Sequence, residues 1–320
     1  NVGDYLRRIE IDKPKFAFAL ADEAGYLSSR KRSELSMLRT SDWLKLMCSP
    51  RTKAAAMEGA STSKGKETRP PTDHNAEDQP ELFKWISDTS LVGVVLPYHV
   101  AVGQNGLKTE DTERVEARFK EQVQLVLSCG AQAVCVGGLG LGESFDVRAR
   151  AIAAVRSALD SSASGRALPI VVQGMCSLAE ILHALVHGAD VVATNLPSIT
   201  TKLGHAITWA VDAPGAGAGE VGSKRKLDGW RPAADGVINL WDERYREDPG
   251  PLQTGCQCHA CRHHTRRYVR HLLQAHELLG EVLLYTHNQH QVVQLFEAAR
   301  LHANAGSLVQ WTQAITEDQR

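Results

Sequence analysis

Between residues 91 and 193 the chain repeats one pattern: a short apolar run rich in β-branched residues, then a longer stretch with helical periodicity. The runs are Leu91-Val92-Gly93-Val94-Val95, Ala133-Val134-Cys135-Val136, Pro169-Ile170-Val171-Val172 and Asp190-Val191-Val192-Ala193, with an earlier one at 15–20. Runs without polar alternation belong to strands buried on both faces, the condition of a parallel sheet covered by helices. Helices are predicted at 110–128, 146–159 and 177–187, and another at 28–48 that starts at a Ser cap and stops before Pro50. Strands alternating with helices give a parallel α/β fold. Five strands, near 16–20, 91–95, 133–136, 169–172 and 190–193, suffice for an open doubly wound sheet, whereas a closed barrel needs eight. Counting leaves both architectures open.

A length of 320 residues allows one large barrel or about two domains. A hydrophobic share of 43% excludes a wholly disordered chain, and a net charge of −1 excludes a globally basic nucleic-acid binder but not a local basic patch. No apolar run reaches the roughly 18–20 residues of a membrane span. Residues 50–81 are polar and aperiodic, and residues 212–236 are rich in Gly, Ala and Pro around Lys224-Arg225-Lys226. Both are predicted to be disordered insertions in loops. The sequence begins abruptly at Asn1 beside a strand-like segment, so preceding sequence is expected to be missing.

Of seven cysteines, Cys48, Cys129, Cys135 and Cys176 are scattered; Cys135 and Cys176 lie in or beside apolar runs, where a thiol serves as a small buried hydrophobe. The other three form Cys256-x-Cys258-x-x-Cys261. Thiolates this close chelate a metal from one tight loop, and a closed structural Zn²⁺ site requires a fourth ligand. Candidates are His259, His263, His264, His271, His276, His287 and His290. Ring strain disfavours His259, and spacing does not choose among the rest. One metal site in a reducing, cytosolic compartment fits this usage better than a disulfide framework.

A helix predicted at 264–279 puts Val269, Leu272, Leu273 and Leu279 on one face. Arg262, Arg266, Arg267 and Arg270, with His263 and His264, crowd its start and outer surface, either as a solvated face or as a phosphate-backbone contact on folded RNA. A second helix is predicted at 288–303. The loop Gly137-Gly138-Leu139-Gly140-Leu141-Gly142-Glu143 follows a strand, but its third glycine comes one residue too early for the dinucleotide fingerprint.

Together these segments resemble the tRNA-guanine transglycosylases, the queuine tRNA-ribosyltransferases, from about residue 15 to 303 outside the two insertions. Ala21-Asp22-Glu23 resembles the family's strand-end Asp-Glu, and Leu91–Val95 its Leu-Phe-Gly-Ile-Val strand. Gly137–Glu143 resembles its Gly-Gly-Leu-Ala-Val-Gly-Glu loop. Gly188-Ala189-Asp190 and Pro197 bracket its nucleophile segment. Pro251-Leu252, the three cysteines and His287-Asn288 match its zinc motif. The resemblance implies one structural Zn²⁺ on Cys256, Cys258, Cys261 and His287. It also implies an irregular (β/α)₈ TIM-type barrel whose first three strands would precede Asn1, with a zinc-binding helical subdomain. On that basis the expected organisation is a partial barrel over 1–237, a zinc-binding subdomain with closing helices over 238–304, and a tail over 305–320.

Departures from the pattern shape the expected function. Active members exchange guanine for queuine or a precursor at the tRNA wobble position, using a nucleophilic Asp. Counting from Gly188 and Pro197 puts Ala193 at that position, and Asp190 matches the other, non-nucleophilic Asp. The base-reading Gln is replaced by Leu96, followed by Pro97. A metal motif kept and a nucleophile lost resembles the family's non-catalytic accessory subunits, which pair with a homologous catalytic subunit in a heterodimer on tRNA and also associate with the mitochondrial outer surface. The rival expectations are a self-sufficient transglycosylase with a relocated nucleophile, Asp22 being the remaining candidate, and a structural zinc protein without an RNA role.

Overall fold

A computed structural model describes residues 2–23, 30–48, 89–96, 109–162, 165, 167–209 and 236–318. The two predicted insertions, Ser28 and Pro97 lie outside the described residues, except for Gly236 at the end of the second insertion.

The chain divides into two compact units, residues 1–174 with 187–193, and residues 175–186 with 194–320. In the first unit, helix α1 (Val2–Asp12) leads into β1 (Phe16–Phe18), α2 (Arg30–Met47), β2 (Ser90–Val95), α3 (Thr109–Ser128), β3 (Ala133–Val136), α4 (Phe145–Asp160) and β4 (Ile170–Met175). After α5 (Leu178–Val186) comes β5 (Val191–Thr194). The five strands lie side by side in the order 1-2-3-4-5. The pairs β1–β2, β2–β3 and β3–β4 are parallel, with Val92 opposite Ala133 and Val134 opposite Ile170. An order without reversal is the winding of a β/α barrel; a doubly wound sheet reverses direction at a switch point. The described strands thus have the winding of part of a β/α barrel, five strands of parallel sheet rather than a closed ring.

The central strands are buried as their composition predicts. Val95, Val134, Cys135, Val136, Ile170 and Val172 are inaccessible to solvent. Gly93 lets α3 approach the sheet: a Cβ there would lie 2.2 Å from a Val126 methyl. Helix α4 is capped by Ser144, whose hydroxyl accepts the Val147 N–H.

The second unit continues with α6 (Leu196–Lys202), an antiparallel pair β6 (His205–Ile207) and β7 (Val237–Asn239), then α7 (His259–His263), α8 (Arg266–Gln274), α9 (Leu278–Asn304) and α10 (Leu308–Asp318). Three expectations are corrected here. The helix predicted at 264–279 is α8 alone, ending at Gln274, and Leu279 belongs to the next helix, where it is exposed. The helix predicted from 288 starts ten residues earlier, at Leu278, so His287 lies inside it. The stretch read as a tail contains α10, which packs on α5. The core of this unit joins Ala206, Ile238, Leu240, Leu252, Val269, Leu273, Leu283 and Leu284, and Cys258 packs directly into it.

Candidate functional site

Two polar clusters stand out, one in each unit. In the second unit, Cys256, Cys258 and Cys261 come from the loop and first turn of α7, and His287 from the middle of α9. The ligand atoms of all four lie within 4.8 Å of one another. His287 Nδ1 is 3.7, 3.5 and 3.3 Å from the Sγ atoms of Cys256, Cys258 and Cys261. A tetrahedral Zn²⁺ with Zn–S near 2.3 Å and Zn–N about 2.0–2.1 Å spaces sulfur from nitrogen by about 3.5 Å. The donor set and its spacing therefore fit one metal ion.

The surroundings fix the cluster. His287 is wholly buried, and its Nε2 lies 2.7 Å from the Ile207 carbonyl. With the proton on Nε2 donated to that carbonyl, Nδ1 presents its lone pair to the sulfurs, the usual orientation of a metal-bound histidine. Its neighbour Asn288 is equally buried: Oδ1 accepts the Ile207 N–H, and Nδ2 donates to Thr200, Thr201 and the His205 carbonyl. One dipeptide thus sets the imidazole and ties β6 and α6 to α9. Cys258 Sγ accepts the Cys261 N–H at 3.4 Å, and Cys256 Sγ accepts the Gln291 amide at 3.2 Å. Burial works against a charged His287, but hydrogen bonds to Cys256 and Cys258 raise it to about 9. Hydrogen bonds from Cys256 and Cys261 hold the Cys258 thiol far below its ordinary range.

The second cluster sits at the C-terminal ends of the strands of the first unit, where β/α folds place their sites. Glu23 Oε1 accepts the Gly138 N–H at 3.0 Å and faces the Gln173 amide at 3.5 Å. Gly138, Gly140 and Gly142 all take positive φ. A Cβ on Gly140 would lie 2.6 Å from the Gly174 carbonyl oxygen, so the loop rests on β4 backbone to backbone. The buried Glu143 organises it, accepting N–H bonds from Gly140 and Leu141 while paired with the buried Arg148 at 2.7 Å.

The carboxylate expected nearest to chemistry is engaged elsewhere. Both oxygens of Asp22 are forked by Arg32, at 2.7 and 2.6 Å, and Arg39 adds a third bond at 3.2 Å. The Arg32 hydrogen bonds hold the Asp22 carboxyl below its ordinary range. Leu96 is buried; its N–H donates to Gln122 and its side chain fills the space beside Gly137. Ala193 is exposed on β5. Asp190 lies at the opposite end of the strands: it accepts the N–H of Ile170, the first residue of β4, and pairs with Arg156 at 3.0 Å. Three strand steps separate it from Ala193, about 10 Å.

Sequence reasoning missed the roles of Gln291, Asn288 and Glu143. It misplaced Cys176, which is exposed and contacts Asn195 rather than the core. It also overcounted the basic surface. Arg266 pairs with Asp248 and Arg270 with Glu243, and both are buried, leaving Arg262, Arg267 and His263 exposed.

The family profile described as "TGT: Queuine tRNA-ribosyltransferase" matches residues 111–320. The chain is 34% identical over 128 residues to queuine tRNA-ribosyltransferase accessory subunit 2 of Schizosaccharomyces pombe, covering 40% of this chain and 26% of that protein. It is 43% identical over 81 residues to accessory subunit 2 of Trichoplax adhaerens, covering 25% and 22%. It is 33% identical over 179 residues to the queuine tRNA-ribosyltransferase of Prochlorococcus marinus MIT 9313, covering 56% and 40%. The matched regions thus span between about a fifth and two-fifths of these relatives' lengths.

Proposed function

The chain belongs to the queuine tRNA-ribosyltransferase family, and from that premise we propose that it acts as a non-catalytic accessory subunit. It supports a catalytic partner that exchanges guanine for queuine at the tRNA wobble position, on the cytosolic side, through heterodimerisation and tRNA binding. Its five strands are part of a closed (β/α)₈ barrel. One structural zinc ion per chain, held by Cys256, Cys258, Cys261 and His287, ties the helical subdomain together; no open coordination position remains for water on such a site.

The observation that carries the reading is Ala193 standing where the resemblance puts the family's nucleophile, with Asp22 and Asp190, the two candidate carboxylates among the described residues, both engaged elsewhere. A methyl group forms no glycosyl intermediate. Asp22 is consumed by Arg32 and Arg39, and Asp190 lies at the far end of its strand. Both facts weigh against a relocated nucleophile.

Support for a partner surface comes from α9. Leu278, Val282, Tyr285 and Val293 are 75%, 49%, 45% and 41% exposed. At positions i, i+4, i+7 and i+15 they form one stripe about 22 Å long, opposite the face that carries His287. A helix apolar on two faces is built to be covered twice, once by its own core and once by another protein. The exposed Arg262 and Arg267 of the same unit supply phosphate contacts. The test is reconstitution: guanine exchange by the chain alone, by the catalytic partner alone, and by the pair. Activity only in the pair supports the reading, and exchange by the chain alone refutes it. Full activity of the partner without it leaves a structural zinc protein.

A further inference from the structure

The Cys₃His cluster carries three thiolates against one imidazole, so a bound Zn²⁺ leaves a net negative charge on the sulfurs. N–H groups pointing at sulfur offset that charge. Two such bonds are seen. The first, from the Cys261 N–H to Cys258, is backbone and belongs to the chelating loop itself. The second comes from a side chain: Gln291 Nε2 donates to Cys256 Sγ at 3.2 Å. Gln291 lies one turn beyond His287 on α9, and only 5% of it is exposed. A buried amide requires partners, and this one spends a donor on a sulfur. An amide oxygen turned toward a thiolate would be repelled, so the anionic ligand itself selects the donor orientation.

We propose that Gln291 is a positioning residue of the metal centre, an outer-sphere donor that holds Cys256 on the ion and damps its thiolate charge. Cys256 is the first ligand of the loop, and Gln291 joins it to the helix that supplies His287. That helix therefore grips the metal twice: directly through an imidazole, and indirectly through an amide on a sulfur it does not carry. The inference rests on reading the cluster as a zinc site, and a zinc count on the unaltered chain tests that reading separately.

Two variants of the zinc-loaded chain test the proposal. Gln291→Met keeps the bulk and removes the donor; Gln291→Glu keeps the shape and sets a carboxylate oxygen against the sulfur. Zinc release to a coloured chelator is expected to quicken about 10-fold in the Met variant and further in the Glu variant. In the Co²⁺-substituted proteins, the thiolate-to-metal charge-transfer band is expected to move to lower energy when the donor is lost, because an undamped thiolate gives up its electrons more readily. A side chain that merely fills space would give release rates and band positions unchanged in the Met variant, and that result overturns the proposal. So does a Glu variant that holds zinc as firmly as the unaltered chain. Should one variant fail to fold, the other and its cobalt spectrum still decide. If the unaltered chain takes up no zinc, the metal reading falls and this inference with it.

Discussion

In the Cys256–Cys258–Cys261–His287 cluster every donor atom converges on one point, whereas at the strand ends of the first unit the polar groups turn toward partners of their own. Glu143 is spent on Arg148 and the glycine loop, Glu23 on Gly138, and Asp22 on Arg32 and Arg39. The converging cluster brings three sulfurs and an imidazole nitrogen within 4.8 Å of one another, a donor set and spacing that fit one metal ion. The other satisfies itself internally. On the proposed reading, this contrast is what a family member that keeps its fold without its chemistry shows: four ligand atoms grouped as a metal would need them, and, among the described residues at the strand ends, carboxylates already paired within the protein.

The largest expected effect breaks the converging cluster. Cys258 lies in the core of the second unit, beside Leu252, Ala260 and Val269. Replacing it by Ser, or stripping the metal with a chelator, removes ligand binding energy that is linked to folding. A loss of more than about 4 kcal/mol is expected for that unit. Thermal melts with and without zinc check it: a Cys258→Ser variant that melts like the unaltered chain removes the contrast between the two clusters.

Much of this was legible beforehand, for identifiable reasons. The strands near 91–95, 133–136 and 169–172 were readable because parallel strands buried on both faces leave dense apolar runs. The three cysteines were readable because chelation demands closeness in sequence; the fourth ligand was not, since His287 reaches the site only by tertiary packing and resemblance had to supply it. The break between α8 and α9 is made by His276 at φ 55, a conformation that a non-glycine residue does not announce; Gly280, inside α9, instead lets the two helices approach, since a Cβ there would lie 2.9 Å from that of Leu272. Helix α9 escaped periodicity because it is apolar on both its core face and its outer stripe. The Asp22–Arg32 pair links separate elements, and nothing local announces it.

The next effect in size concerns the outer stripe of α9, the surface proposed above for a partner. Val282→Asp with Tyr285→Asp should weaken binding to the catalytic subunit by about 2 kcal/mol or more, roughly 30-fold, as central interface residues do. Because both side chains are about half exposed, the melting temperature of the isolated chain should stay nearly unchanged. Unaltered binding in a titration would move the interface away from this helix.

A smaller effect is expected at Asp22. Its folded pKa is depressed by Arg32, so the pair stabilises the chain above the unfolded value and loses that contribution as pH falls through the folded one. Asp22→Asn should therefore cost at most about 1 kcal/mol at neutral pH, since water screens the partly exposed arginines. It should flatten the acid limb of stability below about pH 4. An acid limb identical in both proteins would mean that Asp22 is not committed to its arginines, and the rival nucleophile would return.

The smallest expected effect is none at all. Ala193→Asp restores a carboxylate on an exposed position of β5, yet the chain alone should still form no covalent adduct with tRNA and release no guanine. The reason lies in the rest of the cluster. Leu96 is buried with its backbone N–H held by Gln122, so no amide is in place there to read a base edge. Asp22 is closed off by two guanidinium groups. Groups that act as a unit are not recovered one at a time, because a nucleophile without an oriented base gains no proximity. Trapping on tRNA under denaturing electrophoresis, with the catalytic partner as positive control, gives the answer. An adduct on the Ala193→Asp chain would show that the strand ends retain a working base site despite their internal pairing, and that the loss of function was a single residue deep.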